Sequence, residues 1–293
     1  KTKMGVALAK KFNGEVISGD SMQIYKQMDI GTAKVTEEEK EGIIHHCVDI
    51  LNPDETYSVH DFQQTVRKKI TEITQRGHVP IIVGGTGLYI KAALYDYQFD
   101  EMENDHHAIN EKYKDYTNEQ LHDHLKSIDE ESAKILHFNN RRRVLRAIEI
   151  YETTGKRKSE MLEEQEHICL YDACFVGLTL PRDVLYERIN KRVDVMMENG
   201  LKEEMERLYS QGLTRNHQSM KAIGYKEWFD YYDHQIDLND VLELIKKHSR
   251  QYAKRQYTWF KNQFDVHWYD VNLENFEQTI GQVIDDIEKI LKV

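Results

Sequence analysis

Cysteine is scarce: there are three in 293 residues, Cys47, Cys169 and Cys174. An odd number without a CxxC pair excludes a disulfide framework and a structural zinc site, and fits a reducing, cytoplasmic setting. Proline is equally scarce, at Pro53, Pro80 and Pro181, so no Pro-rich linker divides the chain. No run of about 18 apolar residues occurs, so neither a membrane-spanning helix nor a membrane partner is expected. The opening Lys1-Thr2-Lys3 is polar and does not read as a secretory leader. Positive charge is in deficit: 40 Lys and Arg against 51 Asp and Glu leave a net charge of −11. Averaged over the chain, that speaks against a polyanion partner.

The composition is otherwise that of a folded protein, 40% hydrophobic and 31% charged, with length for about one to two domains. The basic residues are concentrated. Arg141, Arg142, Arg143 and Arg146 form one cluster. Lys246 and Lys247 through Arg250, Lys254, Arg255 and Lys261 form another, interleaved with Tyr252, Tyr257, Trp259 and Phe260. An acidic chain with two such stripes can still carry one polyanion site.

The spacing of Met4, Ala7, Leu8 and Lys11 predicts a helix at the outset, stopped by Gly14. A strand over Glu15 to Ser18 follows and ends at Gly19-Asp20-Ser21. The helix opens without a strand to deliver it, which predicts an upstream segment. Ser58 with Asp61 marks a helix start, Val59, Phe62, Val66, Ile70 and Ile73 its buried stripe, and Gly77 its stop. Val79 to Val83 is apolar on both faces, as in a buried parallel strand, and runs through Gly84-Gly85-Thr86-Gly87 into an apolar helix. Further buried strands are predicted over Ala173 to Leu178 and Val266 to Tyr269, then a closing helix from Phe276 to Leu291. Alternating strands and helices predict an α/β, doubly wound parallel sheet. Residues 99–137 are polar and acidic and read as a small helical insertion in a core of residues 1–98 and 138–293. One long helix is predicted from Arg182 to Gly212, with Leu185, Ile189, Val193, Met197, Leu201, Met205 and Leu208 buried and Arg188 and Arg192 beside that stripe. Another is predicted from Val241 to Phe260.

Several residues could carry chemistry, each beside a plainer reading. Lys1-Thr2 stands where a phosphate-binding loop GxxxxGK[ST] would end, or is a solvated end. Asp20 follows a strand, where open α/β sheets bind ligands, or it caps the next turn. The turn Gly84 to Gly87 offers amides to an anion, or is a tight strand-to-helix connection. Arg188 and Arg192 suit a diphosphate, or salt-bridge on their own helix. The stripe Arg250 to Lys261 suits RNA phosphates and unpaired bases, or is a solvated face. The pairs His45-His46 and His106-His107 lack metal-ligand spacing and read as surface residues.

In chain order, Lys1-Thr2 with Gly5 to Ala9, Ile17 to Tyr25, Met28 to Lys34, His46 to Ile50, Tyr57 to Phe62, Val83 to Tyr89, Asn139 to Glu149, Arg188 to Val193, Ser219 to Glu227 and Tyr252 to Phe260 make an ordered set. The set spans nearly the whole chain and resembles the tRNA dimethylallyltransferase (tRNA isopentenyltransferase) family. Two departures stand out. The family's first strand and most of its GPTxSG loop do not precede Lys1, and the insertion is short and acidic.

The resemblance implies a P-loop NTPase-like core, of the kind that binds nucleotides such as ATP, reused for a diphosphate with no nucleoside triphosphate needed. It implies transfer of a dimethylallyl group from dimethylallyl diphosphate to N6 of adenosine 37, in the anticodon stem-loop of tRNA, by a cytoplasmic monomer. Asp20 matches the family's general base. Lys1, Thr2, Arg188 and Arg192 match the diphosphate site, with Mg²⁺ on Thr2, and Thr2 and Arg192 share in catalysis. Asp20, Ser21, Met22, Gln23, Thr86, Arg142, Arg143, Arg146, Lys221, Gly224, Tyr225, Lys226, Lys254, Arg255, Gln256, Trp259 and Lys261 match RNA-contact positions. A small-molecule kinase on the same core and a non-catalytic RNA-binding protein are the rival readings.

Overall fold

The computed structural model describes residues 1–97, 106–163 and 167–291. It falls into two compact units, Lys1–Leu94 with Tyr171–Val293, and Tyr95–Leu170. The first unit opens with α1 (Thr2–Lys11), β1 (Gly14–Gly19), α2 (Glu37–Lys40), β2 (His45–His46), α3 (Val59–Gln75), β3 (Val79–Gly84) and α4 (Gly87–Leu94). The second holds α5 (His106–Lys112), α6 (Asn118–Ile128), α7 (Glu130–Ile135), α8 (Arg141–Thr154) and α9 (Lys158–Glu163). The first then resumes with β4 (Phe175–Thr179), α10 (Arg182–Glu198), α11 (Leu201–Ser210), α12 (Trp228–Tyr232), α13 (Leu238–Gln263), β5 (Val266–Asp270) and α14 (Phe276–Leu291).

Local chemistry sets the element ends. Ser58 Oγ accepts from Asp61 N at 3.1 Å and Asp61 accepts from Ser58 N at 2.8 Å, a reciprocal cap that starts α3. Gly77, at φ 76°, turns the chain out of it. α1 ends differently from the expectation. Asn13 takes the left-handed turn, at φ 50°, and Gly14 instead begins β1, where a Cβ would stand 2.7 Å from Val79 O.

Among the described residues all strand pairs are parallel. β1 lies between β2 and β3, and β4 pairs with β5. Where one sheet was expected, the described strands form two, joined by a shared core. Met4 and Leu8 of α1 and Ile280, Val283 and Ile287 of α14 pack with Ile81 of β3, Val176 and Leu178 of β4, and Tyr269 of β5. The next β3 residue, Ile82, meets Ile90 of α4 beside Gly19. Helices therefore cover both faces, as a doubly wound architecture requires. β3 and β4 are half-buried rather than fully buried, because each is hydrogen-bonded on one side only among the described strands.

Three more expectations are corrected. The helix predicted from Arg182 to Gly212 is two helices, because Gly200 adopts φ 95°, open to glycine and strained for other residues. Val193, Leu201, Met205 and Leu208 are buried, while Leu185, Ile189 and Met197 are half-buried. The second unit exceeds the predicted insertion. Val144, Leu145, Ala147 and Ile148 of α8 pack on Leu121 and Leu125 of α6, a face whose partners are distant in sequence. His45 and His46 are half-buried rather than free surface residues: they form β2, and His46 reaches the buried Glu15 at 2.6 Å. Phe99 and the side chains of His106 and His107 lie outside the described residues.

Candidate active site

Gly19 and Gly84 are register partners at the ends of β1 and β3. A Cβ on Gly84 would lie 2.2 Å from the Gly19 backbone, so glycine is required for the strands to meet so closely. The two loops that follow are stitched together. Thr86 N donates to Gly19 O at 3.2 Å, and Ser21 N donates to Thr86 Oγ1 at 3.1 Å. With its amide committed, Thr86 gives no free donor for an anion.

Asp20 fills the capping role and leaves one carboxylate oxygen open. Its Oδ1 accepts from Met22 N at 2.8 Å and Gln23 N at 3.3 Å, which is the capping role. Its Oδ2 takes no hydrogen bond from the described residues, and the side chain is half-buried. Lys1 and Arg192 share this electrostatic neighbourhood. Although Lys1 as a residue is exposed, protein atoms crowd its ammonium, and that desolvation lowers its pKa; Asp20 pulls it up and Arg192 pushes it further down. Thr2 is half-buried and lines, with Ser18 and Gln23, a cavity of about 20 Å³, room for a single water.

α13 closes the site from above the glycine turn. Gln256 Nε2 donates to Gly85 O at 2.9 Å, and Tyr252 OH to the same oxygen at 3.4 Å. A Cβ on Gly87 would stand 2.1 Å from Trp259 Cδ1, so the indole lies directly on the turn. The Trp259 Nε1 is buried with no partner among the described residues. Burial, then the charge of Asp20, raises the Tyr252 phenol above its ordinary pKa. α10, which carries Arg188 and Arg192, is tied to α13 by Lys246–Asp194 at 2.8 Å and by Arg250 donating to Asn190 Oδ1. Arg188 and Arg192 are both exposed.

The remaining predicted residues divide. Lys221, Lys226, Lys254, Arg255 and Lys261 are exposed, as are Arg142 and Arg143 on α8 of the second unit. Arg146 is paired with the buried Glu149 at 2.8 Å, and Arg141 donates to the carbonyls of Tyr113 and Tyr116. Gln23 Nε2 is occupied by Thr32 O and Ala33 O. Gly224 and Tyr225 are both buried, Tyr225 completely. Gly224 N donates to Glu227 Oε2, and Tyr225 OH donates to Glu204 Oε1 at 2.6 Å. Glu204 was missed. Its only signal was an acid three residues after Leu201 and four before Leu208, on the core side of α11. A cleft of about 730 Å³ beside Glu206, Tyr232 and Asp240 is lined by none of the predicted residues. Among the described residues no group of three or more His, Cys, Asp or Glu is placed to hold a metal ion. Among the described residues no helix is long and apolar enough to cross a membrane.

A carboxylate at the C-terminal edge of parallel strands, in the electrostatic neighbourhood of Lys1 and flanked by a basic helix, marks the ligand-binding edge of an α/β protein. The chain belongs to the IPP transferase family, whose profile matches residues 23–263. The tRNA dimethylallyltransferase of Bacillus cereus strain AH187 is 54% identical over 274 residues, 92% of this chain and 86% of that protein. The crystal structure of the tRNA isopentenylpyrophosphate transferase of Bacillus halodurans is 45% identical, with TM-score 0.76 over 100% of this chain and 93% of its own. A eukaryotic dimethylallyltransferase acting on tRNA is 31% identical, with TM-score 0.86 over 100% of this chain and 77% of its own.

Proposed function

We propose that this chain transfers the dimethylallyl group of dimethylallyl diphosphate to N6 of adenosine 37 in the anticodon stem-loop of tRNA, as a cytoplasmic monomer. The products are N6-isopentenyladenosine and diphosphate. The observation that carries the reading is the shared electrostatic neighbourhood of Lys1, Asp20 and Arg192 beside α13.

The N6 amine is a poor nucleophile, because its lone pair is delocalised into the ring. The free Oδ2 of Asp20 takes the N6 proton as the C–N bond forms and the C–O bond to diphosphate breaks. General-base help of this kind is worth about 10² to 10⁴ in rate. The amides of Met22 and Gln23 hold the other oxygen, so the carboxylate is oriented before substrate arrives. Lys1 and Arg192 neutralise the charge that grows on the leaving diphosphate. The Thr2 hydroxyl and the diphosphate oxygens are hard oxygen donors of the kind magnesium takes; they would hold it, and it would supply further charge neutralisation. Lys1-Thr2 opening α1 supports a P-loop-type core. Adenosine 37 must leave its stack to reach Asp20. Lys254, Arg255 and Lys261 on α13, with Lys221 and Lys226, take the RNA backbone in the first unit, and Arg142 and Arg143 serve in the second.

The test is mass spectrometry of tRNA lacking the modification after incubation with the chain, dimethylallyl diphosphate and Mg²⁺. A mass gain at adenosine 37 is expected. ATP turnover without tRNA, or tRNA binding with no prenyl transfer, overturns the reading.

A further inference from the structure

Glu204 is 2% exposed, yet no lysine, arginine or histidine pairs with it among the described residues. Its Oε2 accepts from Asp29 N at 2.9 Å and Ile30 N at 2.8 Å. Its Oε1 accepts from Gly31 N at 3.1 Å and Tyr225 OH at 2.6 Å. A buried carboxylate is tolerated only when its lone pairs are satisfied, and here three consecutive backbone amides and one phenol satisfy them. The loop is shaped to this grip. A Cβ on Gly31 would stand 2.6 Å from the Tyr225 ring, so only glycine lets the loop lie flat against it.

The grip continues to Asp20 through further bonds of the same loop. Lys34 Nζ, in a side chain 5% exposed, donates to Tyr25 O at 2.7 Å and pairs with Asp29 at 2.6 Å and Asp49 at 2.5 Å. Thr32 Oγ1 donates to Met28 O at 2.6 Å. The carbonyls of Thr32 and Ala33 then receive Gln23 Nε2 at 3.3 and 3.2 Å, and Gln23 N donates to Asp20 Oδ1 at 3.3 Å. We infer that Glu204 is a positioning residue for the Asp20 carboxylate, acting through the Asp29–Gly31 amides and Gln23. The inference rests on Asp20 being the base.

Glu204→Gln keeps the size but replaces one acceptor oxygen with an NH₂ that meets at least one amide able only to donate. The loop anchor is weakened, and with it the fixed position of the carbonyls that hold Gln23. The prenyl-transfer rate in single turnover should fall about 10- to 100-fold, the range for a sub-ångström to 1 Å displacement of a reacting group. The KM for tRNA should stay within about two-fold, because the exposed cations on α13 are untouched. The deciding measurement is a double-mutant cycle with Asp20→Asn. If Glu204 acts through Asp20, adding Glu204→Gln to Asp20→Asn costs little further rate. Should Glu204→Gln fail to fold by thermal melt, Tyr225→Phe removes one of the four bonds and should lower the rate in the same direction by less. Losses that add in full, a rise in tRNA KM with kcat unchanged, or normal rates for both Glu204→Gln and Tyr225→Phe overturn the inference. A normal rate for Asp20→Asn alone instead overturns the base assignment beneath it.

Discussion

Gln256 donates its side-chain amide to the Gly85 carbonyl across 2.9 Å, which fastens the C-terminal part of α13 to the turn that Thr86 shares with Ser21. The basic helix and the Asp20 loop are thus held by the same four-residue turn. A change in that turn should disturb both at once.

Gly87→Ala tests the arrangement. The new methyl would sit 2.1 Å from Trp259 Cδ1, and a half-buried indole has little freedom to retreat. Overpacking of this kind costs about 1 to 3 kcal/mol. Chemical denaturation should show a loss in that range, accompanied by weaker tRNA binding. Stability equal to the parent protein would mean that α13 shifts freely on the turn.

Arg192→Lys keeps the charge but loses the planar fork that matches two phosphate oxygens. Prenyl-transfer activity should drop, with the main effect on the rate and not on tRNA affinity. If the Lys variant is fully active, the clamp does not depend on geometry, and Arg188 becomes the residue to test.

A chain of net charge −11 must hold RNA through local patches, since its distant charges are screened beyond about 8 Å at physiological salt. Lys254→Ala should weaken tRNA binding and flatten its salt dependence by roughly one contact. Lys40→Ala, which removes an exposed pair with Glu37, should do neither. Equal effects in filter-binding titrations would sink the patch assignment.

Glu15 makes stability depend on acid. Arg76 holds its carboxyl down to about 2, from an ordinary 4.5, against burial and with help from His46 and His78. A depressed folded-state pKa contributes stability that is fully present above about 4.5 and is lost as pH falls toward about 2. Glu15→Gln should lower stability at neutral pH and flatten its fall through that acid window in denaturant titrations. An unchanged acid profile would place the loss on other groups.

Much of the first unit was readable from local pattern. The stripe from Val59 to Ile73 with its Ser58–Asp61 cap, the Gly19 and Gly84 strand ends, and the helix from Phe276 all depend on neighbours a few residues apart. What escaped depends on partners far along the chain. Nothing near Tyr225 announces that its hydroxyl belongs to Glu204, or that Glu204 serves amides 173 to 175 residues earlier. The extent of the second unit was hidden for the same reason, because Val144 and Ile148 are apolar in any core and only contact with Leu121 assigns them to that one. The break at Gly200 was visible as a glycine, but an unbroken apolar stripe on both sides outweighed it.

Lys246 and Arg250 are committed to α10, so the two halves of α13 have different duties. The first half is a girder. Among the described residues the second half presents Lys254, Arg255 and Lys261 without an ion pair or side-chain hydrogen bond, as the first half does Lys247 alone, and at 1.5 Å per residue the stretch from Lys254 to Lys261 is about 10 Å long. A strip that short spans a few nucleotides of a splayed strand and not a full turn of duplex. On the proposed reading, α13 measures a loop, and the stem of any RNA it serves must be gripped by other residues.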